Sequence, residues 1–295
     1  MDNINWYPGH MKKTRELIRE NMKLVDTVLE IVDARIPISG RNPILDELSQ
    51  GKNRFILLNK SDLANETENE GWLKYFRASG ENARLLNSMS GAGVGSLLRA
   101  LSVSRNDRNG KALRTARRMM VVGVPNVGKS SLINRLVGRR SAGVGDRPGI
   151  TKGKQWLGLE NGMQLLDTPG ILLPKFEDRT VGLNLAFCGS VKDEILDTEE
   201  LAVELLRTLL AVPGHANLLA ARYRLERLDE SGADDESPAG GAVSVLEAIA
   251  ANRGFVLPGR RLDCDRAAKT LLDEFRGGMI GRITLEKAPT FRRLS

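Results

Sequence analysis

The chain has 295 residues, 41% hydrophobic and 27% charged, with 44 Lys and Arg against 37 Asp and Glu for a net charge of +7. That length suits two domains whose cores need no disulfide or metal to hold them, and the two distant cysteines, Cys188 and Cys264, lack the paired spacing of a structural zinc. No window approaches the ~18 uninterrupted apolar residues of a membrane span, and the stretch through Glu20 has no signal-like apolar run, so the composition speaks against a membrane and for a reduced cytoplasmic compartment, with a mild lean toward a polyanionic partner.

In chain order, Arg15 to Lys23 reads as a short charged helix behind a turn at Pro8–Gly9. Five short apolar runs follow, at 27–33, 54–59, 83–87, 119–123 and 163–167. Each is bounded by turn residues, as strands buried in a parallel sheet are. Helical spacing separates several of them, at 44–50, 70–79, 95–103 and 129–137. This alternation predicts a doubly wound α/β layer. Beyond about Leu173 the apolar residues recur at helical spacing only, over 199–210, 218–229, 243–253 and 266–276. The expected division is therefore an α/β domain over 1–176 and a smaller all-helical domain over 177–295. The basic stretch 105–118 reads as an exposed connector. The acidic stretch 229–241, rich in Gly and Pro, reads as a flexible loop.

Gly123-Val-Pro-Asn-Val-Gly-Lys-Ser130 fits GxxxxGK[ST], between a predicted strand and a predicted helix, the context this phosphate-binding loop requires. Its glycines let successive N–H groups turn toward phosphate oxygens, and the helix that follows adds its positive end. Lys129 reaches the β- and γ-phosphates, and the Ser130 hydroxyl is a ligand for Mg²⁺. The expected nucleotide set here is Asn126, Val127, Gly128, Lys129, Ser130 and Ser131.

Further motifs point to guanine. Asn59-Lys60-Ser-Asp62 ends an apolar run. Its Asp62 carboxylate can accept from both the N1–H and the exocyclic amine of guanine. Adenine has neither donor and would leave a carboxylate unpaired, a discrimination on the order of 10⁴-fold. Asn87-Ser88 has the position of the backbone that closes over guanine O6. Asp167-Thr-Pro-Gly170 ends another run, its carboxylate placed for the magnesium shell, through water, and the Gly170 N–H for the γ-phosphate. Thr151, in the Gly- and Pro-rich segment 143–151, would supply a second hydroxyl to Mg²⁺ from a switch that orders around a γ-phosphate.

The guanine motif precedes the phosphate loop, the reverse of the usual order. Joining old termini and cutting elsewhere preserves every strand neighbour, because termini of compact domains lie close together. The fold class expected is thus a P-loop GTPase sheet with circularly permuted motifs. With the opening Trp6-Tyr-Pro-Gly-His-Met11, the run Asp33-Ala-Arg-Ile-Pro37, the Pro-Gly-Ile-Thr151 segment and Ile280-Gly-Arg-Ile-Thr-Leu285, this order resembles the ribosome biogenesis GTPase A family across nearly the whole chain. The resemblance implies a role in assembly of the large (50S) ribosomal subunit and a C-terminal helical domain that contacts ribosomal RNA. The 229–241 stretch and the ending 287–295 depart from the family pattern.

Position 171 is Ile, where many GTPases carry a water-orienting Gln, which predicts slow intrinsic hydrolysis. His10, in the Pro-Gly turn, is the candidate to orient water in its place, a role the resemblance supports. Asn126 is a candidate ligand for K⁺ beside the phosphates, where a cation would offset developing charge. Phosphate contacts in RNA are expected from Lys269, Arg276, Arg282, Lys287, Arg292 and Arg293. Competing readings are a permuted GTPase of the small subunit, an RNA-binding assembly factor holding GTP as a structural ligand, and an ATP-dependent kinase, which Asn59-Lys-x-Asp62 opposes.

Overall fold

The computed structural model describes residues 8–102, 117–138, 155–159, 162–167, 178–191, 197–225 and 238–289; of 8–14, 155, 167, 213 and 238–240 it describes the backbone alone. The chain divides into two compact units, one of Met1–Glu177 with Glu286–Ser295, the other of Asp178–Leu285. The second unit therefore ends short of the expected 295. The tail returns to the first unit because Glu286 and Ala288 hydrogen-bond to residues there.

In the first unit, helix α1 (Pro8–Met22) leads to strand β1 (Thr27–Asp33), α2 (Pro43–Leu48), β2 (Asn53–Asn59), α3 (Glu66–Ala78), β3 (Asn82–Leu85) and α4 (Val94–Ser102). Then come β4 (Arg118–Val122), α5 (Lys129–Val137), β5 (Gln155–Gly158) and β6 (Gln164–Asp167). The sheet order is β3-β2-β1-β4-β6-β5, parallel except for the edge pair β5–β6. All seven residues of β1 are buried, as its central place requires. One apolar cluster joins Ile18 and Met22 of α1 to Val28, Met120 and Leu166. Another joins Ile56 and Leu58 to Trp72 and Phe76 of α3.

Two expectations shift. Helix α1 starts at Pro8 itself, so Pro8–Gly9 is helix and not the expected turn; Pro suits the first helical position, where its missing N–H is no loss. Strand β5 was not predicted; four residues at a sheet edge are too few to show an alternation.

The second unit contains α6 (Arg179–Phe187), α7 (Thr198–Leu210), α8 (Pro213–Tyr223), α9 (Pro238–Asn252), the hairpin β7–β8 (Val256–Leu257 and Arg261–Leu262) and α10 (Cys264–Arg276). The hairpin corrects the all-helical expectation, and α9 takes residues 238–241 out of the expected acidic loop. Helix α7 packs against α6, α8, α9 and α10. Its Leu201, Leu205, Leu206 and Leu209 are buried at helical spacing. Among the described residues no helix is long and apolar enough to cross a membrane.

Candidate nucleotide site

The order β2-β1-β4 reverses the direction of travel between β1 and β4, a topological switch point where crevices open beyond the carboxyl ends of strands. The described motifs expected to hold nucleotide lie at that edge. Asp33 ends β1, Asn59 ends β2, Asn87-Ser88 follows β3, the phosphate loop follows β4, and Asp167 ends β6.

Asn59 joins three of them. It is 2% exposed. Its Nδ2 donates to the carbonyl of Val127 at 2.7 Å, and its Oδ1 accepts from the N–H and hydroxyl of Ser88 at 2.9 and 2.8 Å. All its bonds are thus internal, and its task is to tie the guanine motif to the phosphate loop. Gly128 has φ +101, and a Cβ there would lie 2.3 Å from Asn59 Nδ2. Both the backbone angle and the close approach demand glycine. Gly123 is equally tight, its Cβ position 2.3 Å from the Ile31 carbonyl oxygen of β1.

Lys129 opens α5. Its ammonium donates to the carbonyls of Gly123 (3.0 Å) and Val124 (2.6 Å). Burial pushes its pKa down to about 8, with no anionic partner for it among the described residues. The first turn of α5 has neither a side-chain cap nor an acidic residue. Its N-terminal donors and dipole suit an anion. Ser130 follows, exposed, with Ser131 next. Asn126 holds φ +58, an uncommon non-glycine conformation.

On the guanine side, Lys60 also has a positive φ, +56, and its Nζ lies 3.1 Å from Asp33 Oδ2. Asp33 is paired with Arg35 through Nε at 2.9 Å and Nη2 at 2.8 Å, each side chain 1% exposed. Burial alone would raise the Asp33 pKa, but Arg35 and Lys60 outweigh it and hold it at about 2. Asp62 is exposed. Asn69 of α3 donates to the Ser61 carbonyl at 2.9 Å, holding the motif from behind. The sequence reading named neither Asn69 nor the Asp33–Arg35–Lys60 link; only the acidic and basic residues of Asp33-Ala-Arg hinted at the latter.

At Asn87-Ser88 several polar groups bond within the protein. Ser88 commits its N–H and hydroxyl to Asn59, and the Asn87 Oδ1 accepts from its own loop, from Met89 and Ser90 N–H at 2.9 Å each. His10 sits in the first turn of α1 by its backbone, and its side chain lies outside the described residues, as does that of Asp167. Thr151, Gly170 and Ile171 lie outside them entirely. Of the expected phosphate contacts, Arg276 donates to the carbonyls of Ala186 (2.9 Å) and Phe187 (3.2 Å), and Lys269 pairs with Asp265. Both have structural partners. Arg292 and Arg293 lie outside the described residues.

Comparison with known proteins agrees with this geometry. A family model described as "50S ribosome-binding GTPase" matches residues 118–217. The match starts at β4, so the guanine motif lies upstream of it, as permutation requires. The ribosome biogenesis GTPase A of Bacillus cereus is 40% identical over 293 residues, covering 98% of this chain and 95% of that protein. The chain belongs to the ribosome biogenesis GTPase A family. The member from Thermotoga maritima is 32% identical over 96% of this chain and 94% of its own. The mitochondrial ribosome-associated GTPase 1 of Mus musculus is 35% identical over 97% of this chain and 91% of its own. The structure resembles that of a GNP-bound YlqF from T. maritima, with TM-score 0.64, 28% identity and 95% and 100% of the two chains covered. As a ribosome biogenesis GTPase A, the chain is a GTP-hydrolysing enzyme on a P-loop α/β fold with permuted motifs.

Proposed function

We propose that the chain binds GTP along the carboxyl edge of its sheet and hydrolyses it while serving assembly of the large ribosomal subunit in the cytoplasm. The observation that carries the nucleotide reading is Asn59, bonded at once to Val127 and Ser88. It supports one continuous site with Asp62 at the base end and Lys129 at the phosphate end. Asp62 accepts from guanine N1–H and the amine, Lys60 flanks the base, and the start of α5 receives the phosphates.

The donor set fits Mg²⁺. Ser130 is exposed in the first turn of α5, and Asp167 ends β6, the neighbour of β4. Ser130, Asp167 and Thr151 would hold the ion, which when bound neutralises charge between the β- and γ-phosphates. Asn126 is the corresponding candidate for K⁺. His10 is the proposed water-orienting group, since Ile171 offers no polar atom. Assignment to the large subunit is supported by the family description, a 50S ribosome-binding GTPase, and the relatives' names speak of ribosome biogenesis alone.

The test is sedimentation with purified ribosomal subunits in GDP or a non-hydrolysable GTP analogue. Migration with the large subunit in the GTP-like state, and ATP failing to replace GTP, is the expected result. Equal migration with the small subunit would remove the assignment.

A further inference from the structure

The last described residues form a strap across the first unit. The Glu286 carboxylate accepts from the N–H of Ile38 at 2.6 Å and of Ser39 at 2.9 Å, and also from the Ser39 hydroxyl. Two residues of backbone and one side chain thus converge on a single anion, and charge-assisted bonds of this kind are the strong ones. The Glu286 carbonyl accepts from the Trp72 indole N–H at 2.8 Å, and the Ala288 N–H donates to Glu68 at 2.7 Å. Gly71 leaves room for the strap: a Cβ there would lie 2.7 Å from the Ala288 Cβ. Trp72 is 3% exposed and Ser39 4%, so the strap rests on buried supports.

Those supports are the two elements that hold the guanine motif. Helix α3 carries Glu68 and Trp72, and between them Asn69, whose amide bonds the Ser61 carbonyl. The loop carrying Ile38 and Ser39 begins at Asp33, which receives the Lys60 ammonium. The strap therefore grips, from outside, the helix behind Ser61 and the loop beside Lys60. Lys60 sits at φ +56, a conformation that persists only where surrounding structure over-determines it.

From this we infer that Glu286 is a positioning residue for guanine recognition. Its carboxylate holds the loop after β1 while its backbone carbonyl holds Trp72 of α3, and the residue so fixes where Lys60 and Asp62 meet the base. The inference rests on reading Asn59–Asp62 as the guanine motif. The strap acts on the base end of the site and leaves the phosphate loop alone.

The test compares GDP with IDP, whose hypoxanthine lacks the exocyclic amine and so makes one fewer bond to Asp62. In full-length Glu286→Gln, the expected result is an approximately tenfold rise in Kd for GDP, faster GDP release, and a narrowed GDP-to-IDP ratio at unchanged binding stoichiometry. Glu68→Gln, which frees only Ala288, should shift both in the same direction by less, and serves if Glu286→Gln fails to fold. Asp62→Asn is the control. If Asp62→Asn keeps the wild-type GDP-to-IDP ratio, the guanine reading itself falls. If Asp62→Asn loses that ratio while both strap variants keep it, even with a lowered melting temperature, the strap is a stability clamp only and the inference is overturned.

Discussion

Asp33 and Arg35 show how much a single pair can decide. Both side chains are 1% exposed, and taking either charge out of water is costly unless the other is present. The pair forms because the chain turns immediately after β1, where the Ile36 N–H reaches back to the Asp33 carbonyl at 3.0 Å. In a continued strand, residues two apart share a face but do not converge so closely. The sequence showed Asp33-Ala-Arg35 as a family mark, and gave no sign that Lys60 would join it. With a folded pKa of about 2 against an ordinary 3.8, the Asp33 carboxylate is favoured in the folded state. Its contribution is therefore complete above roughly pH 4 and lost as the pH falls toward 2, an effect of about 2 kcal/mol. Asp33→Asn should lower stability by about 3–5 kcal/mol in urea titrations at pH 7 by stranding Arg35, and should flatten that acid limb. Asp33→Asn with Arg35→Met should recover most of the loss.

At the scale of elements, the expected helix 70–79 overlaps α3 but begins four residues late, because the apolar spacing it rested on lies beyond the capped first turn. Asn65 caps it, accepting from the Glu68 N–H at 3.2 Å, and acidic residues fill its first turn. The hairpin β7–β8 carried a Pro258-Gly259 turn signal, but strands of two residues are too short to register a period, and Val256 and Leu257 stay exposed. Arg276 has a structural task that its place in the sequence did not reveal. A cation at a helix end looks the same in sequence whether it faces phosphate or backbone. Here it crosses from α10 to the carbonyls of Ala186 and Phe187 at the end of α6, where that helix's own ladder runs out. Arg276→Ala should therefore cost about 1–3 kcal/mol of stability, seen as a lower melting temperature. The salt dependence of RNA binding should not change; a shallower slope would restore Arg276 as a phosphate contact.

Across the whole molecule, charge is divided unevenly. The unit of 1–177 and 286–295 holds 31 Lys and Arg against 19 Asp and Glu, a net +12, while 178–285 holds 13 against 18, a net −5. Charge alone therefore predicts that attraction to a polyanion resides chiefly in the first unit, although the family resemblance pointed to the helical one. Each phosphate neutralised contributes about 0.7–0.9 to the slope of log affinity against log salt. The full chain should show a distinctly steeper slope for RNA than the fragment 178–285; equal slopes would return the phosphate contacts to the helical unit. The sequence by itself determined the alternation of elements, the phosphate loop, the guanine motif and their permuted order, because strand period, helix period and loop chemistry are properties of neighbouring residues. Only the tertiary structure decided that Asn59 fastens two motifs together, that Asp33 holds Lys60, and that Glu286 returns from the far end of the chain to brace α3. Those bonds join residues 27 to 214 positions apart, and nothing in a local pattern records which distant donor a buried acceptor will meet.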